Sequence, residues 1–131
     1  MGLFGKKIEI KKEFFKPCLS FNKFEVANYR ERQGFKVKIE NSYKKLIVKS
    51  TVGGFLKFIQ ITDYFWDNGE RAYSIFFPDF PQDEVISFLN SNFKYDKKKM
   101  CWILEDGNEL KVKCDNGSLS CRIGNASYYG I

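Results

Sequence analysis

At 131 residues, with 44% hydrophobic and 29% charged, the chain is long enough to bury one core without disulfides or metal and is patterned against disorder. Its net charge of +6 favours polyanionic partners (nucleic acid, anionic lipid or an acidic protein) and serves ordinary solubility equally well. The absence of histidine removes Ser-His and Cys-His nucleophile pairs, histidine acid–base catalysis and the commonest metal ligand.

Aromatics reach 18%, mostly 14 Phe and 7 Tyr, and favour sheet. Charge is uneven. Lys and Arg dominate the first half, whereas 61–84 holds Asp63, Asp67, Glu70, Asp79, Asp83 and Glu84 against Arg71 alone. The opening Met-Gly-Leu-Phe-Gly-Lys-Lys is no signal peptide, so a cytoplasmic protein with reduced Cys18, Cys101, Cys114 and Cys121 is expected. No uncharged run approaches the roughly 18 residues of a membrane span. Gly2 suggests myristoylation, but Lys6 stands where that motif wants Ser or Thr.

Ile8 and Ile10 alternate with Lys7, Glu9 and Lys11, which predicts a short strand over 7–13, broken by Pro17. Over 22–33, Phe24 and Val26 alternate with Glu25 and Ala27; a strand is preferred to a helix because Gly34 and a plain β segment follow. Phe35, Val37 and Ile39 against Lys36, Lys38 and Glu40 make a half-buried strand. Asn41-Ser42 turns it into 44–52. Gly53-Gly54 leads to the longest strand, Phe55 to Trp66, apolar on both sides and so expected to be central and covered twice. Asp67-Asn68-Gly69 is a hairpin turn, and Arg71 to Phe77 pairs back.

A helix near 80–93 follows. Asp79 is its expected cap, Asp83 and Glu84 suit its N-terminal dipole, and Val85, Ile86, Leu89 and Phe93 form its apolar stripe. Beyond it, Glu105-Asp106-Gly107 sets Trp102 opposite Leu110 and Met100 opposite Val112. Asn116-Gly117 sets Cys114 opposite Leu119 and Val112 opposite Cys121. That meander turns Met100, Trp102, Leu104, Leu110, Val112, Cys114, Leu119, Cys121 and Ile123 to one face. Lys111, Lys113 and Arg122, with Cys101 and Ile103, take the other. The expected architecture is a single α+β domain over 1–131: a twisted, mostly antiparallel sheet of about seven or eight strands in meanders, packed on one main helix near 80–93. Residues 1–21 are expected to be loosely attached and 124–131 to form a tail.

No CxxC pair, phosphate loop or calcium-loop spacing is present, so no cofactor or metal is expected, and the cysteines read as small buried thiols. One catalytic pattern needs weighing. Asp96 with Glu109-Leu110-Lys111 resembles the Asp…Glu-x-Lys of restriction-type nucleases, where two carboxylates hold Mg²⁺ and the Lys polarises water. It sits beside a hairpin tip, and a solvated strand face explains it, so no enzyme is expected.

The better signal is basic residues interleaved with rings on a sheet, the combination that holds single strands. The candidate nucleic-acid-binding residues are Lys36, Lys38, Lys45, Lys49 and Lys57 with Tyr43, Phe55, Tyr64 and Trp66. Lys-Lys-Leu-Ile-Val-Lys, Gly-Gly-Phe-Leu-Lys-Phe-Ile-Gln-Ile, Tyr-Phe-Trp-Asp-Asn-Gly and Pro-Gln-Asp-Glu-Val lie in order within 44–93. That stretch resembles the four-strands-then-helix unit of the PC4 and PUR groups of single-strand-binding proteins. The resemblance implies a sheet that binds single-stranded DNA or RNA and a homodimer. The alternative partner is another protein, docked by an aromatic patch in the manner of a phage- or immunity-type inhibitor.

Overall fold

The computed structural model describes residues 8–16, 18–54, 57–116 and 118–124. The described residues form a single α+β unit of two α-helices and eight strands. In order these are α1 (Lys23–Arg32), β1 (Lys36–Ser42), β2 (Lys45–Gly53), β3 (Phe58–Trp66) and β4 (Arg71–Phe77). Then come α2 (Gln82–Asn92), β5 (Lys94–Asp96), β6 (Cys101–Ile103), β7 (Glu109–Asp115) and β8 (Ser118–Gly124). All eight strands join one antiparallel sheet ordered β1-β2-β3-β4-β8-β7-β6-β5. Two meanders are thus sewn together at β4 and β8, where Tyr73 faces Ile123 and Ile75 faces Cys121.

The hairpins follow from turn chemistry. Gly69 takes φ 89° and donates to the Trp66 carbonyl, while Asn68 accepts from the Glu70 amide. Gly107, at φ 88°, completes the expected three-residue loop and sets Trp102 against Leu110. Met100 does not reach Val112: it lies in the 97–100 turn at φ 55°, 73% exposed, outside the ladder. The first hairpin turns at Tyr43-Lys44, one pair later than Asn41-Ser42, because Ser42 still pairs with Lys45. Gly53 cannot be replaced without strain. It takes φ 113°, and a Cβ there would run into the Lys57 carbonyl oxygen.

Residues 22–33, expected as a strand, form α1. Asn22 accepts from the amides of Phe24 and Glu25, and Glu25 returns a bond to the Asn22 amide, closing a capping box. The buried positions of α1 are Val26 and Arg30, one apolar and one charged, so the helix carries no apolar stripe to read. The strand expected over 7–13 is absent from its described part. Residues 8–11 are irregular, and Lys12–Phe15 is a 3-10 turn that drives Phe14 onto Phe35 and Phe15 onto Phe77, Phe88 and Phe93. This part of 1–21 is therefore built into the core and not loosely attached.

α2 starts at Pro81 with no side-chain cap, so Asp79 does not serve, although Asp83 and Glu84 occupy the first turn. Val85 and Leu89 are fully buried, and Trp102 donates from Nε1 to Asn90 at 3.0 Å. Both helices lie on the same side of the sheet. β3 is an interior strand, but it has helices on one face only. Its other face is uncharged and mixed, with the rings of Phe58, Tyr64 and Trp66 beside Gln60 and Thr62.

Candidate nucleic-acid interface

Because successive side chains alternate, the register fixes which residues share the helix-free face. Lys38, Lys49, Thr62, Ser74, Arg122 and Lys111 are successive cross-strand partners over six strands. At about 4.8 Å per strand this row spans about 24 Å. A second row, two residues along, reads Lys36, Thr51, Gln60, Phe76, Ser120 and Lys113. On the far side of the first row stand Tyr64 and Trp66, stacked at 5.3 Å and 10°, with Lys45 Nζ 5.5 Å from the Tyr64 ring centre. Beyond it on the opposite side, Phe58 meets Phe76 edge-to-face at 6.4 Å.

The segregation of charge is nearly complete. On the strands, the helix-free face carries eight basic residues (Lys36, Lys38, Lys45, Lys49, Lys94, Lys111, Lys113, Arg122) and four acidic ones (Glu40, Asp96, Glu109, Asp115). The helix-facing side of the same strands holds only Asp63 and Arg71. The acidic side chains temper the face locally. Glu40 lies 3.3 Å from Lys38 and 3.6 Å from Lys49, and these two neighbours hold its carboxyl below the usual carboxylate range.

The sequence-derived candidates divide accordingly. Lys36, Lys38, Lys45, Lys49, Tyr64 and Trp66 come together on this face. Tyr43 is adjacent, 82% exposed in the β1–β2 turn, with Lys44 Nζ 5.2 Å from its ring centre. Lys57 does not join them: it precedes β3 and reaches to the helix side, 4.1 Å from the Phe80 ring centre. Phe55 lies outside the described residues. Sequence reasoning left Thr62, Ser74, Arg122, Lys111 and Lys113 out of the site. Only the β4–β8 register brings the second meander's cations into line with the first's.

The Asp96, Glu109 and Lys111 trio also projects from this face, with β6 between Asp96 and the other two. Asp96 Oδ1 accepts from the Lys98 and Lys99 amides, capping the turn, and Glu109 pairs with Lys99 at 3.1 Å, raising the lysine's pKa. Both carboxylates thus have structural partners. Among the described residues, no group of three or more Cys, Asp or Glu is placed to hold a metal ion.

Behind the sheet is a buried polar cluster that the sequence did not reveal. Arg30 donates from Nε to Asp63 Oδ2 and from Nη2 to Asp63 Oδ1, each at 3.0 Å, and both side chains are 0% exposed. Burial disfavours the Arg30 charge, but Asp63 outweighs that and holds its pKa above the ordinary value. Cys18 Sγ accepts from Arg30 Nη2 at 3.2 Å and donates to Asp63 at 3.6 Å. Burial and the Asp63 charge push its thiol up to about 12. Arg71 Nη1 completes the joint, donating to the carbonyls of Leu19 and Phe21 at 2.8 and 2.7 Å. This cluster fixes the N-terminal segment and α1 to the back of β3 and β4, away from the basic face. Of the other thiols, Cys101 and Cys121 are buried, whereas Cys114 is exposed, contrary to the expectation for all four.

The fold and face define an α+β protein with a one-sided basic sheet. Comparison with protein-family models, curated protein sequences and solved structures finds no match to this chain. Among the described residues, no helix is long and apolar enough to cross a membrane.

Proposed function

We propose that this protein binds single-stranded nucleic acid, without catalysis, on the helix-free face of its sheet. The observation that carries the reading is the row of register partners in which Lys38 and Lys49 lead through Thr62 and Ser74 to Arg122 and Lys111. Flanking rings supply the second component of single-strand recognition, stacking worth about 1–3 kcal/mol per base. No acidic residue of 61–84 stands in that row: Asp67 and Glu70 lie in the β3–β4 turn beside Trp66, and Asp79 follows β4. Asp63 is spent on Arg30 behind the sheet, and Asp83 and Glu84 belong to α2. The test is a salt titration of binding to a fluorescein-labelled oligothymidylate. Affinity should be measurable at low salt and should fall along a straight log–log line. Failure to bind any polynucleotide at low salt would overturn the reading and assign the face to a protein partner.

A further inference from the structure

The charges on this face are not spread evenly. On β3 and β4 it carries none: Phe58, Gln60, Thr62, Tyr64 and Trp66 on β3, then Ala72, Ser74 and Phe76 on β4. The cations gather at either side of this neutral centre, Lys36, Lys38 and Lys49 at one end and Arg122, Lys111 and Lys113 at the other. A polyanion lying along the β-strand direction would meet one cluster or, over β3 and β4, no cation at all. Only a path across the strands engages both.

We infer that the bound nucleic acid runs across the β-strands from Lys38 to Lys111, with phosphates at the two cationic ends and bases over the neutral centre. This deepens the reading proposed above and rests on it. The hydroxyls of Thr62 and Ser74 and the amide of Gln60 both donate and accept, so they serve any base edge, and the Phe58–Phe76 pair offers ring surface. Sequence preference is therefore weak. Lys49 and Arg122 are three strand spacings apart, about 14 Å, and Lys38 and Lys111 five, about 24 Å. At about 3.4 Å per stacked nucleotide these reaches correspond to about 4 and about 7 nucleotides.

The experiment measures anisotropy of labelled oligothymidylates and oligouridylates from about 2 to about 16 nucleotides long, with the wild-type chain and with Lys38→Gln and Lys111→Gln. Affinity should climb between about 4 and about 7 nucleotides and then level, with the same threshold for both oligonucleotides. Contact with Lys38, Lys49, Arg122 and Lys111 gives a log–log salt slope near about −2.8 on a 12-mer, about a fiftyfold loss between about 50 and about 200 mM salt. Each substitution should flatten that slope by about 0.7, and the two together by about 1.4. Salt-dependent binding with no length threshold, or a slope that responds at one end only, overturns the crossing path and leaves the single-strand reading standing. Absence of binding at low salt overturns both.

Discussion

Arg30 and Asp63 form an ion pair with no solvent exposure on either side chain, one charge from α1 and one from β3. Two charges taken out of water cost several kcal/mol each, and only close hydrogen-bonded contact repays this. Here every Asp63 oxygen has a partner: Nε and Nη2 of Arg30, and the Cys18 thiol. The guanidinium also lies 5.1 Å from the Tyr73 ring centre and donates to Gln33. Removing one partner strands the other charge in the core. Arg30→Met should therefore destabilise the fold by about 3–5 kcal/mol, a large share of the about 5–15 kcal/mol of a typical domain. Combining it with Asp63→Leu should restore most of that loss, because an apolar pair leaves no buried charge. Urea unfolding followed by circular dichroism reads both. A single variant losing less than about 1 kcal/mol would show the pair to be solvated.

At the scale of elements, legibility tracked how local the determining contacts are. The Asp67-Asn68-Gly69 and Glu105-Asp106-Gly107 turns announce their hairpins because positive φ at Gly69 and Gly107 is a local requirement. α2 was legible from Val85 and Leu89, four residues apart and both buried. α1 was not, since its inward residues are Val26 and Arg30, and a buried arginine reads from sequence as a surface one. The strand expected over 22–33 rested on alternation that included Phe24, which is 64% exposed. What holds α1 at its start is Asn22, whose side-chain oxygen accepts two amides. Asn22→Ala should cost about 0.5–2 kcal/mol in the same urea assay, while an unchanged midpoint would mean that Arg30 alone positions the helix. The candidate site was half legible for a related reason. Lys36, Lys38, Lys45 and Lys49 share a face through the β1–β2 hairpin, a nearest-neighbour feature. Arg122 and Lys111 join them only through the pairing of Ser74 with Arg122, which no local signal encodes.

For the whole molecule, one sheet performs two tasks. Its inner face collects α1, α2 and the 12–15 turn over a continuous core from Phe14 and Val48 to Leu110 and Ile123. The structural charge that this side requires is used within it, at Arg30, Asp63 and Arg71. The outer face receives the remaining strand charges with an excess of cations, so part of the chain's +6 is displayed on one side. Whether that side is the working surface is best read by amide chemical-shift mapping of the labelled protein with an oligothymidylate of about 12 nucleotides at low salt. The largest shifts should fall on Lys49, Thr62, Ser74, Gln60 and Arg122, with the amides of Val26, Val85 and Leu89 unmoved. Shifts concentrated on α1, α2 or the 12–15 turn, with the β3 and β4 amides silent, would contradict the account.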